Sequence, residues 1–149
     1  MILGMDISTS CTGFCVLDDN AKIKNLSYLT SFARGRSSAK TLFKLAKFNG
    51  IIQWLCYNDL HMQAHPINVN EARKLNEILV ISQKKTTETK KDQVLRQVKD
   101  EIGDAFDFPT KILKSGPRKG LEVTDKVSYD MADAYVIAKA NWIEKNKKT

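Results

Sequence analysis

The chain has 149 residues, 42% of them apolar, which suits one domain with a real core and is too short for two. Its formal net charge is +7, from 24 Lys and Arg against 17 Asp and Glu, a surplus that favours a polyanionic partner. The opening MILGMD has no basic n-region or long apolar stretch, which argues against a signal peptide. No window reaches the roughly 18 apolar residues of a membrane span, so the expectation is a soluble cytoplasmic protein with no membrane partner.

Residues 2–5 form a short apolar run ending at Asp6, followed by a turn-like Ser-Thr-Ser. Residues 12–17 (TGFCVL) are rich in strand formers, and Asp18-Asp19-Asn20 reads as a hairpin turn. Residues 22–30 (KIKNLSYLT) read as a third strand, which completes an antiparallel meander. Cys11 and Cys15 lie four apart in this stretch and face one side of it. With Cys56 they make an odd set without a C-x-x-C pair, and they read as buried reduced thiols. His61 and His65 have no cysteines at zinc spacing.

Phe32-Ala-Arg-Gly-Arg-Ser-Ser is a basic loop in which Ser37 or Ser38 caps the next helix. Apolar residues recur at helical period over 39–55, with Gly50 either marking a close helix contact or merely tolerated. Residues 62–69 (MQAHPINV) are a candidate strand, with Pro66 arguing against a fully central position. Asn70 reads as the cap of a short helical piece, and 82–91 as a polar, basic loop. Thr89 and Asp92 resemble a capping box opening a helix over 90–102, with stripe Val94, Leu95, Val98 and Ile102. Residues 115–120 (SGPRKG) form a second basic loop. The last helix spans about 124–145, burying Met131, Tyr135, Ala138 and Trp142.

Three aspartates carry the chemistry. Asp6 ends the first strand, while Asp130 and Asp133 sit three apart on the last helix, about 5–6 Å between Cβ atoms. Like charges on one partly apolar face repel unless neutralised, and magnesium or manganese suits a ligand set made only of carboxylates. Such a cluster serves phosphodiester cleavage, with two ions roughly 3.5–4 Å apart. Read singly, each residue is better explained structurally: a strand end, a helical turn and a solvated surface acid.

The opening ILGMDISTSCTGFCVLD resembles the first hairpin of RuvC-like Holliday junction resolvases, in the ribonuclease-H-like superfamily. The end, YDMADAYVIAKA, resembles that family's closing helix, and FARGRSSAKTLFKLAKFNG its DNA-contacting loop and long helix. INVNEARK and KKDQV also fit, and the similarity is closest to the small resolvases carried by phages. The resemblance implies an α/β fold with a ribonuclease-H-like mixed sheet flanked by helices. It also implies a homodimer that cuts four-way junctions and other branched DNA by magnesium-dependent hydrolysis.

On that reading Asp6, Asp130 and Asp133 hold metal, Lys91 stands near the scissile phosphate, and Phe32 wedges into the DNA. Arg34, Arg36, Lys40, Lys84, Lys85, Lys90, Arg118 and Lys119 would neutralise phosphates from three loops.

The sequence departs from the family in one region. The family's fourth carboxylate, a Glu shortly before the aromatic matched by Phe32, has no counterpart, since no acid lies between Asp19 and Phe32. A helix and the fourth strand are missing there too, equivalent to roughly 30–40 residues between Ser31 and Phe32. Removing one strand leaves a gap of about 9.6 Å and two unpaired ladders. A catalytically degenerate dimer that only binds branched DNA is the alternative, and an RNA-cutting relative a third reading.

Overall fold

The computed structural model describes residues 1–8, 10–30, 39–82 and 85–147, with the side chains of 39–42 outside the description. It is a mixed α/β fold with two small antiparallel sheets. The meander forms as expected: β1 (Ile2–Ile7), β2 (Cys11–Leu17) and β3 (Ile23–Thr30) pair in the order β1-β2-β3. The second hairpin is set by Asp18, whose carboxylate accepts the N–H groups of Asn20 and Lys22, both at 2.9 Å. This side-chain turn lets Ala21 hold a left-handed φ of 60°.

Helix α1 (Ala39–Asp59) runs four residues past the expected end at 55. It leaves Phe43, Ile51, Trp54 and Tyr57 exposed and buries Cys56. Gly50 is merely tolerated there, since an added Cβ would meet nothing within 4 Å among the described residues. The candidate strand over 62–69 does not form: residues 62–68 follow no regular element and pair with no described strand. Val69 instead begins α2 (Val69–Leu75), and the cap is Asn68 rather than Asn70. The Asn68 side chain accepts the Asn70 N–H at 2.9 Å.

Helix α3 (Lys90–Ile102) opens on the expected capping box between Thr89 and Asp92. Its Val94, Leu95 and Val98 are buried, each such side chain contributing about 1.5–3 kcal/mol. A short hairpin, β4 (Thr110–Ile112) with β5 (Glu122–Thr124), brackets the SGPRKG loop. Thr124 therefore belongs to a strand, and the last helix, α4 (Val127–Lys147), starts three residues later than the expected 124.

Helix α4 lies directly on the sheet. A Cβ on Gly13 would overlap the Asp130 carbonyl, and one on Gly4 would stand 2.6 Å from Ala138 Cβ. Only glycine on the strands and small residues on the helix permit this approach, and Ala132, Ala134, Ala138 and Ala140 are all buried there. The core runs from Cys15, Leu17 and Leu26 through α4 to Ala72 and the α3 stripe. Among the described residues, no helix is long and apolar enough to cross a membrane.

Candidate functional site

Strand alternation decides which way Asp6 points. Gly4 meets α4, and residues two apart on a strand share a face, so Asp6 is directed toward the same helix. In the β1–β2 register Asp6 lies opposite Gly13, which itself abuts the backbone of Asp130. The close packing that excludes a Cβ at both glycines thus brings Asp6 to the turn of α4 that carries Asp130 and Asp133.

The electrostatics record this proximity. Burial pushes Asp6 from its ordinary 3.8 up to about 6, with Asp133 and Asp130 adding to the rise and Lys91 and Arg73 opposing it. Asp130 is raised as well, by burial first and by Asp133, against a hydrogen bond from Cys11 and the charge of Lys91. The Cys11 thiol, buried and donating to Asp130, is pushed up to about 12 and stays protonated. Cys11, Cys15 and Cys56 are all free and buried, as expected.

Asp133 is treated differently. The Arg73 Nη2 of α2 donates to both of its oxygens, at 2.7 and 3.0 Å. The two side chains are only 14% and 9% exposed, so this pair is screened little by water. Arg73 Nε has no hydrogen-bond partner among the described residues.

Lys91 projects from the first turn of α3, exposed, with its Nζ 5.7 Å from the centre of the Tyr129 ring. Tyr129 in turn donates to Asp92 at 2.6 Å, the same Asp92 that accepts from the Thr89 backbone and hydroxyl. A chain of contacts therefore ties the start of α3 to the start of α4 and holds Lys91 near the carboxylates.

The basic residues divide by location. Lys85 and Lys90 are exposed at the approach to α3, and Arg118 and Lys119 are exposed in the β4–β5 turn. That hairpin is fastened to the start of α4 by the Ser128 hydroxyl, which donates to the Pro109 carbonyl at 2.7 Å. Phe32, Arg34, Arg36, Lys84 and the Ser31–Phe32 junction lie outside the described residues, as does the side chain of Lys40.

The donor chemistry suits a hard divalent cation: burial and the charge of Asp133 disfavour the ionised form of both Asp6 and Asp130, and a bound cation would favour it. The arrangement is not a finished cage. Among the described residues, no group of three or more His, Cys, Asp or Glu side chains is set to hold a metal ion. Asp133 faces a guanidinium, and Glu71, the nearby acid of α2, is exposed and absent from the charges acting on Asp6. Arg73 and Cys11 are the site residues that sequence reasoning missed. A basic residue in NEARK was visible, but its pairing with an aspartate sixty positions away had no local signal.

Comparison of the chain with protein-family models, curated proteins and solved structures found no significant match. The fold and site therefore define the chain as a mixed α/β protein with a partly buried group of carboxylates between a strand and the helix packed on it.

Proposed function

We propose that this chain is a metal-dependent endodeoxyribonuclease of the RuvC-like, ribonuclease-H-like kind, acting as a homodimer on four-way junctions and other branched DNA. One observation carries the reading. Asp6 and Asp130, from opposite ends of the sequence, both lie near Asp133 and Lys91 and are both raised by burial and by Asp133.

In this reading Asp6 and Asp130 hold magnesium or manganese, with Asp133 joining them by sharing or releasing Arg73. Ions held there would supply a water of lowered pKa and stabilise the leaving oxygen. The chain's own groups do the rest. Lys91 presents a positive charge beside the cluster, where a non-bridging phosphate oxygen would lie. The Cys11 thiol donates to Asp130 and holds its carboxyl in place. Lys85, Lys90, Arg118 and Lys119 attract the backbone, so affinity falls steeply with salt. Two-fold symmetry would present two such sites to two equivalent strands of a junction.

The test is magnesium-dependent nicking of a synthetic four-way junction, with Asp6→Asn as control. Cleavage by the native chain and none by the variant supports the reading; binding without nicking by the native chain overturns it. A specific observation favours the second reading, a non-cutting branched-DNA binder. Arg73 already neutralises Asp133, and no acid between Asp19 and Phe32 supplies a fourth ligand.

A further inference from the structure

Arg73 is anchored as well as paired. Its helix, α2, is fastened to α4 by Asn76, whose side-chain amide donates to the Val136 carbonyl at 2.9 Å and to the Ala72 carbonyl at 2.7 Å. Ala72, the residue before Arg73, is fully buried in the core. The arm itself is packed as far as its head, since Arg73 Nε is shut off from water. Swinging the guanidinium out to solvent would undo that packing, so it is held on Asp133.

The three carboxylates are therefore not equivalent. Both oxygens of Asp133 accept from Arg73 Nη2. Asp6 and Asp130 form no ion pair among the described residues, and Asp130 accepts from the uncharged Cys11 thiol. The charges that act on Asp6 are those of Asp133, Asp130, Lys91 and Arg73. With every group ionised, three negative charges face two positive ones, and one negative charge is left over. A divalent ion on Asp6 and Asp130 turns that into one positive charge, which a single phosphodiester cancels. A second divalent ion would leave two positive charges uncancelled. It would also have to share Asp133 with a guanidinium that water screens little.

We propose that the site takes one divalent ion rather than two, held by Asp6 and Asp130, and that Arg73 fills the second cation place. This rests on the metal-dependent reading above and fixes its stoichiometry. Arg73 is then a charge-balancing residue: it neutralises Asp133 permanently, where an ion would do so only while bound. The lack of any acid between Asp19 and Phe32 agrees with this, because a guanidinium needs fewer carboxylates around it than a second dication does.

The experiment titrates the intact, metal-free chain with manganese(II) alone. Calorimetry reads the stoichiometry, and electron paramagnetic resonance reads contact between ions. Two ions roughly 3.5–4 Å apart couple and broaden each other's spectrum, while a lone ion keeps resolved hyperfine lines. The expected result is one ion per chain with the spectrum of an isolated ion, lost in Asp6→Asn. Arg73→Met should take up a second ion and show the coupled spectrum, whereas Arg73→Lys, which keeps the charge, should stay at one. Two coupled ions in the native chain overturn the proposal and leave the metal-dependent reading standing. No bound ion, or one that Asp6→Asn retains, overturns both. A single ion in Arg73→Met, or two in Arg73→Lys, overturns the part given to Arg73. Should Arg73→Met unfold, Arg73→Gln, which is neutral and keeps an amide donor, carries the same expectation.

Discussion

Arg73 and Asp133 form a nearly buried ion pair, with one guanidinium nitrogen donating to both carboxylate oxygens at 2.7 and 3.0 Å. The pair joins α2 to α4 and occupies the acid that the metal reading needs as its third ligand. How tightly Arg73 holds that acid bears on whether the cluster takes a cation or already contains one.

Removing the guanidinium should be costly. Arg73→Met leaves the Asp133 carboxylate buried and unpaired, and the expected loss is about 3 kcal/mol, read as a lower urea midpoint. If the cluster accepts a divalent ion, magnesium should recover part of that loss in the variant and raise its melting temperature more than that of the native chain. Equal shifts in both would count against a cation site at Asp133.

Asp6 should make the fold less stable at neutral pH. Its folded value, about 6, lies above its ordinary 3.8, so folding favours the protonated form. The stability this group contributes is fully present below about 3.8 and is lost as pH rises through about 6. In metal-free buffer the native chain should therefore gain stability from pH 7 to pH 4 on account of this group. Asp6→Asn should be more stable than the native chain at pH 7 by about 2 kcal/mol, after allowance for partial exposure. That advantage should vanish near pH 4, as thermal melts across the range would show.

Gly13 is fixed by the approach of α4. Gly13→Ala places a methyl group against the Asp130 carbonyl, and backbone cannot yield as a flexible side chain can. The expected cost is about 3 kcal/mol, with the junction between β2 and α4 opened and Asp6 separated from Asp130. Gly50→Ala is the matched control: a Cβ there meets nothing within 4 Å among the described residues, and the helix should gain up to about 1 kcal/mol. Paired urea denaturation curves distinguish the two.

The capping box should act on the site as well as on the helix. Thr89→Ala removes the hydroxyl bound by Asp92 and should cost about 1 kcal/mol of stability. It also loosens the Asp92 carboxylate that accepts from Tyr129, and Tyr129 carries the ring beside Lys91. If Lys91 contacts phosphate, Thr89→Ala should weaken junction binding several-fold while Lys119→Ala, in the separate hairpin, adds independently to the loss. Fluorescence anisotropy on a labelled junction reads both effects.

Much of the secondary structure was legible because local rules wrote it. The apolar run of β1, the strand formers of β2 and β3, the Asp18 turn and the Thr89–Asp92 box each depend on residues within a few positions of one another. The buried stripe of α3 follows from the same short-range pattern. Where those rules failed, the reason lay outside the segment. Residues 62–67 carry a strand-like pattern but pair with no described strand, so the pattern went unused. The β4–β5 hairpin, with strands of only three residues each, was too short to show periodicity, although its Gly116 and Gly120 turn was visible.

The candidate site divides in the same way. The three acids, their residue type and the spacing of Asp130 and Asp133 are written in the chain. That Asp6 stands beside the α4 pair depends on Gly4 and Gly13 admitting the helix to the sheet, a long-range fit that spacing does not encode. Arg73 reaching Asp133 and Cys11 donating to Asp130 are likewise products of packing. A sequence specifies what each residue can offer to its neighbours; which offers are taken up depends on the contacts that close when helices and strands pack.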